Sequence, residues 1–151
     1  DRGTSDGVKL FDPVVTSKGL VGKIVEVSSN SAKVMAIIDE TSTVMARVTK
    51  TKDLVRIRGA SSLEYKGMCQ MDRIAELADI SVGDIIETAE SGGIYPKGIV
   101  IGKVKEINIV AGENSRYAII EPAVDFRRID KVIILSKSGK KVADDTNGDT
   151  P

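Results

Sequence analysis

Short runs of aliphatic and β-branched residues, each broken by Gly, Ser or Asp, dominate the hydrophobic pattern of the chain. Runs of this kind predict strands, and no long segment repeats its apolar positions at the spacing of an amphipathic helix. A single helical turn is predicted at Arg73–Ala78. The pattern therefore favours an all-β fold of small barrels or sandwiches. The predicted strands are Gly22–Val27, Lys33–Ile38, Val44–Val48, Leu54–Ile57, Glu64–Gln70, Ile85–Thr88, Ile99–Ile109, Arg116–Ile120 and Lys131–Leu135.

Two segments of the chain resemble each other. Asp12–Thr16 leads into Gly19–Ile24, and Asp84–Thr88 leads, after an insertion, into Gly98–Val104. Each is followed by two isoleucines and an acidic residue, Ile37–Asp39 in the first copy and Ile119–Glu121 in the second. An internal duplication of short strands implies two related barrels packed together, although Gly and Ile are common enough in β proteins for a chance similarity.

The duplication suggests how the chain is organised into domains. We expect a first β-barrel over residues 1–76 and a second over residues 77–136, with strand exchange between barrels as an alternative that would move the boundary near Glu76. Residues 137–151 are rich in Lys, Asp, Gly and Thr, so a disordered, solvated tail is predicted there. Structural glycines are expected at the strand ends and turns: Gly19, Gly22, Gly83, Gly98 and Gly102.

Charge and composition exclude several functions. The 22 Lys and Arg balance 22 Asp and Glu, so the chain has no basic surplus to neutralise phosphates, and nucleic acid is not an expected partner. Aromatic residues make up only 3%, which leaves little for stacking on bases or sugars. The apolar stretches are interrupted by Lys, Glu or Gly, so no membrane span is expected within these residues. Two alternatives stay open at this point: a cytosolic protein, or a domain whose targeting segment lies upstream of Asp1.

Common catalytic arrangements lack their residues in this chain. Without histidine, Ser-His-Asp and Cys-His mechanisms are impossible, and zinc would find neither imidazole nor a second thiolate beside Cys69. Cys69 lies between Met68 and Met71, which predicts a buried small hydrophobe and not a reactive thiol. The sequence therefore predicts no catalytic, metal-binding or cofactor-binding residues.

The segment from Ser91 to Gly98 is the most distinctive loop in the chain. It contains Gly92, Gly93, Ile94, Tyr95 and Pro96, in which the glycines permit positive φ and the proline sets the chain direction. Phosphate-binding loops lead into helices, whereas this one leads into a strand. Two interpretations stay open: a sharp β-turn with Tyr95 as a packed plug, or a partner-binding surface formed by these five residues.

These features resemble the MreC family of rod-shape proteins. The match is collinear over roughly residues 1–135. Each motif alone is weak, and the specificity comes from finding all of them in the same order. One departure is Ala89-Glu90, where members usually have a Ser-Gly step, and the turn into the loop can differ accordingly. The matching segments are Asp1–Val8, Gly19–Gly22, Ile37–Asp39, Val82–Thr88, Gly92–Val104, Glu121–Phe126 and Val132–Leu135.

The resemblance implies a membrane-anchored, non-enzymatic scaffold of cell-wall elongation. It implies two six-stranded barrels arranged as in chymotrypsin-like proteases but without catalytic residues, located outside the cell membrane and preceded by a transmembrane helix and a coiled coil. The implied partners are MreD, MreB, RodA, the elongation-specific class B penicillin-binding transpeptidase and further copies of the chain. The implied role is to organise and activate peptidoglycan synthesis enzymes.

Two other classes of function remain open on the residues alone. A degenerate hydrolase on a protease-like barrel would need a Ser-Lys or carboxylate site, and the sequence offers none in a recognisable context. A periplasmic adaptor of a transport or secretion system would also join a coiled coil to small β modules. A lipoyl-like hairpin would identify the adaptor, and no such hairpin is evident in the sequence.

Overall fold

The computed structural model describes residues 3–90, 93–136 and 141–145 and confirms an all-β fold. The chain divides into two units. The sheet unit takes both ends of the chain, up to Ala36 and from Val124 onwards, and the barrel unit takes Ile37–Ala123. Short 3-10 turns lie at Thr4–Asp6 and Leu63–Tyr65.

The barrel unit is a closed barrel of six antiparallel strands in the order β4-β5-β6-β9-β8-β7, with β7 pairing back to β4. Its strands alternate buried and more exposed positions most clearly in β4 and β5, so every second side chain fills the interior. Ile57, Met71, Ile86 and Ile101 are among the fully buried side chains. The strands are β4 (Thr43–Val48), β5 (Leu54–Gly59), β6 (Cys69–Asp72), β7 (Ile85–Thr88), β8 (Val100–Ile109) and β9 (Arg116–Pro122).

The sheet unit contains a five-stranded antiparallel sheet in the order β11-β10-β1-β2-β3. Its core packs Val14, Ile24, Val132 and Ile134 with Val8, Val21 and Val124. Of the two six-stranded barrels that the sequence predicts, one is present, and the described part of the other unit is this open sheet. The strands are β1 (Pro13–Thr16), β2 (Gly19–Val27), β3 (Ala32–Ala36), β10 (Lys131–Leu135) and β11 (Lys141–Asp145).

The division into units differs from the predicted boundary near Glu76. Strand β6, before that position, pairs with β9 after it, and β4 pairs with β7. In the sheet unit β1 pairs with β10, so Val14 lies opposite Ile134. Each unit therefore contains segments from both sides of residue 76, so the units do not meet at the predicted boundary.

Three further sequence predictions need correction. The strand predicted over Glu64–Gln70 begins only at Cys69, and Leu63–Tyr65 form a 3-10 turn instead. Arg73–Ala78 forms no helix; the backbone makes only a turn in which the Ala78 N–H donates to the Ala75 carbonyl. Within the predicted disordered tail, Lys141–Asp145 form β11 on the edge of β10 away from β1, because ladder hydrogen bonds use the backbone and tolerate a polar composition. Residues 137–140 and 146–151 lie outside the described residues.

The duplication appears in the structure as two hairpin modules with the same register. In β1-β2-β3 the pairing shifts between Val14 and Val15, and again between Ile24 and Glu26. The β7-β8-β9 module has the corresponding shifts at equivalent residues, between Ile86 and Glu87 and between Val104 and Glu106. Equal bulges at equivalent positions support a duplicated supersecondary unit over a chance similarity of sequence.

The twin isoleucines do not belong to this duplication. Ile24 pairs with Val34, and the equivalent Val104 pairs with Ile120. Ile120 therefore corresponds to Val34, whereas Ile37 and Ile38 follow the end of β3. That part of the predicted alignment is wrong because the hairpin between the last two strands is longer in the second copy, both in its turn and in the paired strands beyond the bulge.

Gly22 and Gly102 occupy equivalent positions in the two modules. The same close approach of the next strand requires a glycine at both. A Cβ added at Gly22 would collide with the carbonyl oxygen of Met35, and one added at Gly102 with the carbonyl oxygen of Glu121. Both glycines allow the backbone of the next strand to approach closely beside a bulge. Their prediction as structural glycines agrees with this packing.

Candidate partner-binding surface

The glycine loop, residues 89–97, joins β7 to β8 and is held at its base by Thr88. The Thr88 hydroxyl donates to the Pro96 carbonyl at 2.6 Å and accepts from the Ile99 N–H at 2.9 Å. The Gly98 N–H donates to the Thr88 carbonyl at 2.9 Å. Thr88 is fully buried, so these bonds are shielded from water and fix where the loop leaves and re-enters the barrel.

Within this loop, Tyr95 points inward. Its side chain is only 6% exposed, and burial raises its pKa to about 12. Ile94 is half-buried, and Gly93 and Pro96 are exposed, whereas Gly92 lies outside the described residues. The geometry favours the packed-plug interpretation of Tyr95, and contact of the loop with a partner stays a prediction for Ile94 and Pro96.

A second feature, missed by the sequence analysis, lies on the outside of the barrel beside this loop. Arg47 on β4 lies opposite Leu54 on β5 and Glu87 on β7, and Glu87 lies opposite Val100 on β8. Leu54 is 59% exposed and Val100 36% exposed. We call this row, together with Ile85 two residues from Glu87, the β5–β8 surface.

Glu87 is the polar centre of the β5–β8 surface. Its carboxylate accepts hydrogen bonds from the Arg47 Nε at 2.6 Å and the Thr49 hydroxyl at 2.7 Å, and Lys52 Nζ lies 3.5 Å away. These donors, with Thr49 the largest influence, hold the pKa of Glu87 below its usual value against the opposing effect of burial. The carboxylate therefore stays ionised and fixes Arg47, and the bonded pair lies between the exposed side chains of Leu54 and Val100.

A surface of this composition fits protein contacts. Interface cores are more apolar than the rest of the surface and are enriched in arginine. Leu54, Ile85 and Val100 supply the apolar part, and Ile85 is 42% exposed. The bonded Glu87–Arg47 pair, with Glu87 almost fully buried, adds no unpaired charge that a partner would have to desolvate.

Chemistry of other kinds finds little support among the described residues. No group of three or more Cys, Asp and Glu side chains within residues 3–90 and 93–136 is placed to hold a metal ion. Cys69 is buried, its thiol lies 3.4 Å from the Ile37 carbonyl, and burial raises its pKa to about 12. A thiol with that pKa is protonated at neutral pH, so Cys69 behaves as the buried hydrophobe that the sequence predicts.

Comparison with known proteins places these features in a family. The family model described as "Rod shape-determining protein MreC, barrel core" matches residues 1–136. The cell shape-determining protein MreC of Escherichia coli K12 is 26% identical over 137 residues, which cover 89% of this chain and 36% of that protein. MreC of Listeria monocytogenes EGD-e is 28% identical over 155 residues, 99% of this chain and 52% of that protein.

Solved structures agree on the fold. The crystal structure of MreC from Pseudomonas aeruginosa aligns with a TM-score of 0.81 and 26% identity, covering 89% of this chain and 85% of that one. A structure described as a complex between a penicillin-binding protein and MreC from Helicobacter pylori aligns at a TM-score of 0.60 and 17% identity, over 72% of this chain and 65% of that one.

The chain spans about a third to a half of the length of the curated relatives it matches. The family model, by contrast, covers the sheet unit and the barrel unit together, from residue 1 to residue 136. The chain therefore belongs to the MreC family of rod shape-determining proteins.

Proposed function

We propose that this chain is the barrel part of a non-enzymatic scaffold that maintains rod cell shape by organising and activating peptidoglycan synthesis enzymes. The observation that carries the proposal is the match of the MreC barrel-core model to residues 1–136. Relatives from Escherichia coli and Listeria monocytogenes are called cell shape-determining proteins. The sequence has no histidine, so the Ser-His-Asp and Cys-His arrangements lack their base in this chain.

The partner that we propose first is the elongation-specific class B penicillin-binding transpeptidase. The MreC of Helicobacter pylori is described in complex with a penicillin-binding protein, and this chain shares its fold. By resemblance to the family, MreD, MreB, RodA and further copies of the chain are also proposed partners. A location outside the cell membrane, anchored by an upstream helix, belongs to the same proposal. In the described residues the structure has no helix with the length and hydrophobicity of a membrane span.

We assign the contact with the transpeptidase to the β5–β8 surface. Its exposed Ile85 and Val100 lie on the neighbouring strands β7 and β8, and Leu54 lies on β5, across β4 from them. Burying these side chains against a partner would remove apolar area from water, which stabilises by about 25 cal/mol per Å². The closed barrel offers no free strand edge of its own, so side chains and not backbone ladders would make this contact.

A binding titration with matched variants tests the proposal. The domain is titrated by biolayer interferometry against the extracytoplasmic part of the cognate transpeptidase at physiological salt. Leu54→Ser and Val100→Ser should each weaken binding about tenfold or more, as expected for residues at the core of an interface. The control is Leu63→Ser, because Leu63 is 89% exposed and follows the opposite end of β5 from Leu54.

The outcomes test separately whether the transpeptidase is the partner and whether it binds at the β5–β8 surface. If the wild-type domain does not bind, the proposed partner is wrong. If it binds and Leu63→Ser weakens binding as much as Leu54→Ser, the partner is right but the β5–β8 surface is not where it docks.

A further inference from the structure

A cleft of about 500 Å³ opens in the sheet unit, beside the β1–β2 turn. The antiparallel register of β1 and β10, with Val14 opposite Ile134, brings the end of β1 next to the start of β10. The turn residues Ser17 and Lys18 therefore face the segment that leads into β10, residues 124–131. The volume of the cleft lies within the range of about 300–1,000 Å³ that is usual for small-ligand sites.

Both walls of the cleft are fixed by local hydrogen bonds. The Thr16 hydroxyl accepts from the Lys18 N–H at 3.0 Å and shapes the turn. On the other wall, Asp125 accepts from the N–H and the Nε of Arg127 at 3.0 and 3.2 Å, and its carbonyl accepts from the Arg128 N–H. These bonds fix the two walls before any ligand arrives, which lowers the entropic cost of binding.

The lining has a surplus of cations. Lys18, Arg128 and Lys131 are exposed along it, and none of them forms a salt bridge with another residue of the described chain. Of the two acidic residues in the lining, Asp125 accepts hydrogen bonds from Arg127, which lower its pKa, and the charge of Arg128 acts on it in the same direction more weakly. Asp130 has an interaction of its own. Three cations around a cleft raise the local concentration of anions.

The rest of the lining is apolar. Val124 is buried and Ile129 half-buried, and both contribute to the cleft wall. A bare inorganic anion would leave this apolar wall unused, whereas the end of a short peptide offers a carboxylate together with aliphatic groups. We propose that the cleft binds the free C-terminal carboxylate of a short peptide, with Lys18, Arg128 and Lys131 as its cationic partners. Capture of a chain terminus in this way is a known mode of peptide recognition.

This inference stands apart from the proposed scaffold role and is tested without the transpeptidase. The full chain, labelled with ¹⁵N, is titrated with trialanine, with trialanine amide and with inorganic phosphate while amide resonances are recorded. Trialanine should shift the resonances of Ser17, Lys18 and Ile129 saturably, and its amide should not. Equal shifts with the amide, no shifts at all, or tighter saturation by phosphate would each overturn the proposal.

Variants then assign the cationic partners. Arg128→Gln and Lys131→Gln should each weaken trialanine binding about tenfold, since each removes one charge-assisted contact. Lys105→Gln is the matched control, because Lys105 is an exposed cation on β8, in the barrel unit. If it weakens binding as much as the cleft variants, the effect is one of net charge and the assigned site is wrong.

Discussion

Asp12 and Asp84 hold equivalent turns in the two hairpin modules with the same hydrogen bond. The Oδ2 of Asp12 accepts from the Lys9 N–H at 2.8 Å, and the Oδ2 of Asp84 accepts from the Ser81 N–H, also at 2.8 Å. Each aspartate also donates its own N–H to the carbonyl three residues before it. The sequence duplication therefore includes the turn that precedes each module, and not only its strands.

The turn at Asp84 provides the first prediction. Asp84→Ala should lower the free energy of unfolding by about 1–2 kcal/mol, because the Ser81 N–H loses its acceptor and the 3.1 Å ion pair with Lys50 is broken. Asp84→Asn keeps an acceptor and should cost less. Asp79→Ala is the control, since it removes only the exposed 3.7 Å ion pair with Lys50 and should cost at most about 0.5 kcal/mol. Urea unfolding measures all three, and equal losses would contradict the role of the turn.

The paired glycines of the two modules lead to a second prediction. Gly102→Ala should destabilise the barrel unit by about 2 kcal/mol or more, because the new Cβ would collide with the Glu121 backbone, which cannot move aside cheaply. Gly83→Ala is the comparison: a Cβ there meets nothing within 4 Å, and only its φ of +94° opposes the change. Thermal unfolding should rank Gly102→Ala as the more harmful, and the reverse order would refute the close-packing argument.

The carboxylate of Glu87 makes stability depend on pH. Since its pKa is lowered in the folded state, its contribution is fully present above the unfolded value of about 4.3 and is lost as the pH falls through the lower folded pKa. Glu87→Gln should therefore reduce stability at neutral pH and flatten the loss below about pH 4.3. Urea midpoints across the acid range test this against wild type. The pKa values of Glu106 and Asp125 are lowered as well, so the difference between the two curves is the informative quantity.

The buried ring of Tyr95 predicts which substitutions the glycine loop tolerates. Tyr95→Ala should cost about 3 kcal/mol, because it removes an almost fully buried aromatic side chain and leaves a cavity. Tyr95→Phe keeps the ring and should cost about 1 kcal/mol or less. Chemical denaturation distinguishes them. If Tyr95→Ala were as stable as wild type, the packed-plug interpretation would be wrong.

Arg116 on β9 holds the segment between β6 and β7 through hydrogen bonds to its backbone carbonyls. Its Nη2 donates to the carbonyls of Ala75, Glu76 and Ala78 at 3.0, 3.2 and 2.9 Å. Arg116→Lys shortens the side chain and loses the planar donor, so amide hydrogen exchange should accelerate across residues 73–84. Exchange within β8 should stay unchanged. The control Lys105→Gln lies on the neighbouring strand and should leave both regions as in wild type.

The sequence was informative where a run of residues determines its own structure. The bounds of β7 and β10 were predicted to the residue, because each contains two adjacent isoleucines and directly follows an aspartate, Asp84 before β7 and Asp130 before β10. The register shifts and the open sheet were not predicted, since strands such as β1 and β10 find each other only in the folded chain. A pattern of residues along one strand does not identify its neighbour.

The candidate site shows the same limit. Ile85 and Ile86 are adjacent and chemically identical, yet only Ile86 is fully buried and Ile85 is exposed on the β5–β8 surface. The sequence could not say which of the two faces the interior, because that depends on the register with β4 and β8. The inward position of Tyr95 was one of two open interpretations for a related reason: a loop sequence does not fix what its side chains pack against.

The order of the segments along the chain has a consequence for synthesis on the ribosome. All six strands of the barrel lie in the continuous stretch Ile37–Ala123, whereas β1 needs β10, near the far end of the chain, as its neighbour. As the polypeptide emerges, the barrel has every strand it requires before β10 is translated. Until then one edge of β1 stays unpaired, so the barrel unit can be completed before the sheet unit, although the sheet unit's first strands are made earlier.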